Sequence, residues 1–81
     1  MKTAIVTGAA RGIGLATTDL FREMGWQVAM VDRDREELEK VAADRDNILA
    51  VCRDVSNPQE VDAMMRDTLA WSPAVDALVN N

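Results

Sequence analysis

An open α/β sheet of parallel strands is the architecture that these 81 residues predict, and three observations carry the prediction. Short apolar runs alternate with segments whose apolar residues recur at helical spacing, in the order β-α-β-α-β-α-β. Each intervening segment is too long for a hairpin, so the strands must be joined by right-handed crossovers and run parallel. Finally, the first apolar run enters a glycine-bearing loop, Thr7-Gly8-Ala9-Ala10-Arg11-Gly12-Ile13-Gly14, and a helical pattern starts directly after it.

The first strand is read over Met1 to Thr7, where Ala4, Ile5 and Val6 lack alternation, as in a strand buried on both faces. Gly8 suits a sharp exit from that strand, and Gly12 has no Cβ to keep a pyrophosphate off the main-chain N–H groups. Gly14 lets the helix sit close to the sheet. The unpaired N–H groups of a first helical turn, with the positive end of the dipole, bind an anion without a charged side chain. A tight βα turn would account for three glycines equally well. The strand before them, the helix after them and Asp32 at the end of the next strand, 20 residues past Gly12, point instead to a dinucleotide site.

Ile13, Ala16, Thr17, Leu20, Phe21 and Met24 share one face of the first helix and are expected in the core, with Gly25 ending the helix. The second strand runs from Trp26 to Val31 and Asp32 closes it. A carboxylate there can accept from both ribose hydroxyls of NAD, whereas the 2′-phosphate of NADP would meet a like charge. Arg33, next in the chain, and Arg11 pull the other way, but the acid at the ribose outweighs them, so NAD is the expected cofactor and NADP the disfavoured one.

Asp34 caps the second helix with Glu37 three residues on. Leu38, Val41 and Ala42 face inward, and Glu36 is spaced to pair with Lys40. After a turn at Asp44 to Asn47 comes a third strand, Ile48 to Cys52, with Cys52 expected as a buried small side chain. Arg53, Asp54 and Val55 leave its carboxyl end, the edge of a parallel sheet where ligands collect. Asn57 as cap and Pro58 at the first helical position open the third helix. Its core residues are Val61, Met64, Met65, Thr68 and Leu69; Trp71 packs its end against the sheet, and Ser72-Pro73 stops it. Ala77-Leu78-Val79 is the fourth strand, followed by Asn80-Asn81.

The spacing of Gly8, Gly12 and Gly14, together with Asp32, Asp54-Val55 and Leu78-Val79-Asn80-Asn81, resembles the short-chain dehydrogenase/reductase family over the whole chain. Arg11 stands where the extended branch of that family carries glycine, so the resemblance is to the single-domain branch. It implies a Rossmann-like sheet in the order 3-2-1-4. It also implies a cofactor set: Gly8, Arg11, Gly12, Ile13 and Gly14 at the pyrophosphate, Asp32 and Arg33 at the adenosine ribose, Asp54 and Val55 at adenine, and the Asn81 backbone toward the nicotinamide. Without the resemblance, Asp54 would read as a polar residue at a strand end.

Members of that family carry out hydride transfer with a tyrosine, a lysine four residues later and a serine. The chain has no tyrosine, and its lysines, Lys2 and Lys40, precede the glycine loop or sit on a charged helix face. No catalytic residue is therefore carried over, and the 81 residues by themselves are expected to bind nucleotide without catalysis. Helices one and two fall on one face of the sheet and helix three alone on the other, so much of one face and the edge at strand four would be bare. The expectation is an N-terminal part, residues 1–81, of a single dinucleotide-binding domain in a longer oxidoreductase acting on an alcohol or ketone, or else an assembly that covers the surface with another copy. A noncatalytic nucleotide-binding fragment and a self-associating interaction module are the alternatives.

A net charge of −5, with no basic stripe, argues against nucleic acid and anionic membrane surfaces. No apolar run approaches the roughly 20 residues of a membrane span, and no signal-peptide pattern precedes the first strand, so a cytoplasmic protein is expected. Histidine is absent and Cys52 is alone, which leaves no metal site or intrachain disulfide in view.

Overall fold

The computed structural model describes all residues, Met1 to Asn81. Four parallel strands, β1 (Thr3–Thr7), β2 (Gln27–Asp32), β3 (Ile48–Cys52) and β4 (Ala77–Val79), form one open sheet in the order β3-β2-β1-β4. Three helices supply the crossovers: α1 (Gly12–Glu23), α2 (Arg35–Ala42) and α3 (Pro58–Trp71). Register runs from Thr3 opposite Gln27 to Thr7 opposite Val31, and from Val28 opposite Ile48 to Asp32 opposite Cys52. Thr7, Asp32 and Cys52 therefore end their strands along one edge.

The sheet is buried on both faces at its centre, as the unbroken apolar runs require. On one face Val6, Val28 and Met30 pack with Leu38 of α2, with Leu15 and Phe21 of α1 beside them. On the other, Ile5, Ala29, Val31 and Val51 pack with Met64 of α3, flanked by Val61, Met65 and Trp71. Leu78 pairs with Ile5 in register and so points to the α3 side, where it is 56% exposed. The predicted bare surface lies there, beside the edge strand β4.

The caps form as expected. Asp34 accepts from the Glu37 N–H and Asn57 from the Gln59 N–H, while Gly25, at φ +84°, ends α1. The Asp34 N–H, however, donates to Asp32 and not to Glu37, and the ion pair along α2 is Arg35 with Glu39 in place of Glu36 with Lys40.

The apolar stripe of α1 departs from expectation. Ile13, Leu20 and Met24 are 76%, 61% and 62% exposed, and the buried positions of the helix are Gly14 and Thr18. The short side chains of Gly14 and Thr18 make the contact because the start of the helix lies against β1 at a distance that leaves no room for a Cβ at residue 14, a consequence developed below. Phe21 stays half-buried and packs against Trp26 with the rings tilted at 48° and their centroids 4.9 Å apart. Leu69 of α3 is likewise exposed, and Cys52 is half-buried, not enclosed.

Two polar assemblies complete the packing. At the amino-terminal edge, Gln27 Nε2 donates to Thr3 Oγ1 and Ser72 Oγ, the two hydroxyls lie 2.7 Å apart, and the Asp76 carboxylate accepts from the Thr3 N–H. This ties the end of α3 and the start of β4 to the central strands. Across the outer side of α1, Arg45 forks onto both oxygens of Asp19, at 2.8 Å each, and Arg22 adds a third bond. The hydrogen bonds from Arg45 hold the Asp19 carboxyl below the usual carboxylate range against the opposing cost of desolvation, with Arg22 adding to the pull.

A depressed folded-state pKa contributes stability above the unfolded value, and that stability is lost as pH falls through the folded one. Asp19→Asn should therefore destabilise the protein by about 1 kcal/mol at neutral pH, the upper end for a partly exposed pair. In urea melts across pH, the gap between variant and parent should close in acid below about pH 4. A gap that stays constant across that range would show the fork to be energetically idle.

Candidate functional site: the carboxyl edge of the sheet

The site begins with the exit from β1. Gly8 and Gly12 hold φ of +60° and +59°, the left-handed region that favours glycine, and the chain turns between them into α1. A Cβ added at Gly14 would stand 2.1 Å from the Gly8 carbonyl oxygen, so helix and strand approach to a distance that only glycine permits. One at Gly12 would meet nothing within 4 Å: that position opens onto solvent. The N–H groups of Arg11, Gly12, Ile13 and Gly14 take no partner in the chain, since the first helical bond at this end is from Leu15 to the Arg11 carbonyl. They gather unpaired donors at the positive end of the helix dipole.

Asp32 stands beside this turn. One of its oxygens accepts from the Ala10 N–H at 3.1 Å, the other from the Asp34 N–H at 3.0 Å. An ionised carboxylate has about four acceptor positions, so two remain for a ligand while the group is held in place. Arg11 lies over this region with its guanidinium 2.5 Å from the Asp34 carboxylate. Arg33 is exposed and forms no ion pair.

At the end of β3, Asp54 Oδ1 accepts from both the N–H and the hydroxyl of Ser56, at 3.1 and 2.7 Å. Those bonds, with a smaller contribution from the Arg33 charge, hold its carboxyl below the usual range, and Oδ2 is left for a ligand donor. Val55 packs on the α3-side core beside it. Arg53, directly before Asp54, is neutralised by Glu60 and Asp67.

Two clefts of about 220 and about 500 Å³ open here, and they share Gly8, Asp32, Arg33 and Asn81. One extends to Asp54 and Val55, the other to Arg11, Gly12 and Ile13. They form one trough along the carboxyl edge of the sheet. Gly14 underlies it without lining it. All ten residues expected from the sequence thus lie in or directly beneath a single depression.

Sequence reasoning passed over Thr7. Its hydroxyl accepts from the Asn81 N–H at 2.9 Å and faces the Asn80 side-chain oxygen at 3.1 Å, which fastens the end of β4 to β1. The Asn81 N–H is thereby committed, and its carbonyl is the backbone group left for a ligand. A hydroxyl residue at the last position of a strand, directly before Gly8, was the available signal. Asp34, read only as a cap, was also missed as the partner of Arg11.

The short chain dehydrogenase family model matches residues 2–81 of the chain. The chain belongs to the short-chain dehydrogenase family. An uncharacterised oxidoreductase of Staphylococcus aureus is 35% identical over 82 residues, which take in 99% of this chain and 36% of that protein. The 2-(R)-hydroxypropyl-CoM dehydrogenase of Xanthobacter autotrophicus is 40% identical over 85 residues, 99% of this chain and 34% of that protein. Among solved structures, 3-ketoacyl-(acyl-carrier-protein) reductase from Brucella melitensis, complexed with NADH, superimposes with a TM-score of 0.90 at 38% identity. That match covers 95% of this chain and 32% of the reductase. A short chain dehydrogenase from Bacillus anthracis gives a TM-score of 0.91 at 28% identity, over 99% of this chain and 34% of the other. This short-chain dehydrogenase chain spans about a third of the length of the relatives it matches.

The glycines can be separated by substitution. Gly14→Ala forces a Cβ into backbone that cannot yield and should cost about 3 kcal/mol in urea unfolding, at the top of the overpacking range. Gly12→Ala meets only left-handed strain and should cost about 1 kcal/mol. Equal losses would mean that the close approach of α1 to Gly8 is not a real constraint.

Proposed function

We propose that the trough binds NAD(H), and that the protein carrying it is an NAD-dependent oxidoreductase that moves a hydride between the nicotinamide and an alcohol or ketone. The observation that carries this reading is the convergence of two recognition elements in one depression: the unpaired N–H groups of Arg11 to Gly14 and the pinned carboxylate of Asp32. The donors suit a pyrophosphate, which needs several N–H groups and no side-chain cation. The carboxylate suits the two ribose hydroxyls. Asp54 Oδ2 and Val55 suit the adenine, one as acceptor for its amino group and the other as an apolar wall.

The same residues test the fit of the cofactor without reference to any relative. Gly12 leaves the approach to the donors clear, and Asp32 is ordered by the backbone before any ligand arrives. Bound NAD would supply the hydride acceptor. These 81 residues would bind and orient it, and with no tyrosine among them the proton transfer falls to groups outside them. The NADH-bound Brucella reductase supports the same reading. The exposed Leu78 of the edge strand β4 supports contact with further protein, either more of the same chain or a second copy.

NAD is favoured over NADP because the Asp32 carboxylate repels a 2′-phosphate where it would accept a 2′-hydroxyl. In calorimetric titrations, Asp32→Asn should weaken NAD binding roughly tenfold, the loss of one charge-assisted hydrogen bond, and weaken NADP less or strengthen it. Unchanged NAD affinity in that variant would remove Asp32 from the ribose site.

A further inference from the structure

We propose that Asp34 is a specificity-determining residue of the nucleotide site, acting through Arg11; the proposal rests on the cofactor reading above. Arg11 and Asp34 are each one step from the Asp32 carboxylate. Ala10, the residue before Arg11, donates its N–H to one oxygen of Asp32, and Asp34 donates its own N–H to the other. The guanidinium of Arg11 then closes onto the Asp34 side chain. A nucleotide whose ribose hydroxyls meet Asp32 brings its 2′ substituent beside this ion pair.

Two arginines line the cleft there, and both would attract a 2′-phosphate if free. Arg33 is free. Arg11 is not, because Asp34 neutralises and orients it. The acid has two separable duties: Oδ1 accepts from the Glu37 N–H as the cap of α2, and Oδ2 takes Arg11. Asparagine caps a helix as well as aspartate does, so Asp34→Asn keeps α2 and releases Arg11. The pair is exposed, at 65% and 45% for the two side chains, so the effect is modest and screened by salt.

The test measures the dissociation constants of AMP and 2′-phospho-AMP for four proteins: the parent, Asp34→Asn, Arg11→Ala and the double variant. Asp34→Asn should shift the preference toward 2′-phospho-AMP by about fivefold at low salt, the upper end for an exposed pair. In the Arg11→Ala background the same substitution should shift it by less than about half as much, since the released cation is missing. An equal shift in both backgrounds overturns the proposal, because Asp34 would then act only as a nearby negative charge. No shift in either background also overturns it. Failure of all four proteins to bind AMP defeats the cofactor reading itself, which the other outcomes leave standing.

Discussion

The contact between Gly14 and the Gly8 carbonyl governs the carboxyl edge of this sheet. A side chain at residue 14 would place its first carbon 2.1 Å from that oxygen, so α1 can approach β1 as it does only because residue 14 has none. The approach brings the first turn of the helix over the strand ends, with its N–H groups unpaired and Asp32 alongside. It also selects what α1 buries. Gly14 and Thr18 lie against the sheet, and the Thr18 hydroxyl turns back to the Gly14 carbonyl at 3.0 Å, so even the buried polar group is satisfied within the helix.

Charge at this edge is arranged in layers. Backbone N–H groups fix Asp32 from both sides, Asp34 holds Arg11, and Glu60 with Asp67 hold Arg53, which leaves Arg33 as the unpaired cation of the trough. The unpaired donors of the trough are main-chain groups at a helix start, whose positions follow from the fold and not from rotamers. That division has a physical reason. A rigid set of amides gives up no side-chain entropy on binding, whereas each long side chain that must be ordered costs about 0.5–1.5 kcal/mol.

Much of this was legible in the sequence because its causes are local. Strand and helix existence, the caps at Asp34 and Asn57, the stop at Gly25 and the glycine loop depend on residues within a few positions of one another. Strand order followed from family resemblance, and the sheet has it. The outward stripe of Ile13, Leu20 and Met24 was misread because helical periodicity reports which apolar residues share a face, not how near the neighbouring sheet lies. At close range a glycine and a threonine displace larger apolar residues from the contact. The assembly of Thr3, Gln27 and Ser72 joins residues up to 69 positions apart, and the bond from Asn81 to Thr7 spans 74, so no local pattern announces either.

The most direct test of the account is the backbone amide spectrum of the protein during titration with NAD. At saturation the N–H resonances of Arg11, Gly12, Ile13 and Gly14 should shift together with that of Asp32, and those of Leu20 in the last turn of α1 and Met24 at its C-cap should stay in place. Saturable NAD binding with the four loop and first-turn amides unmoved would contradict the claim that the helix start receives the pyrophosphate.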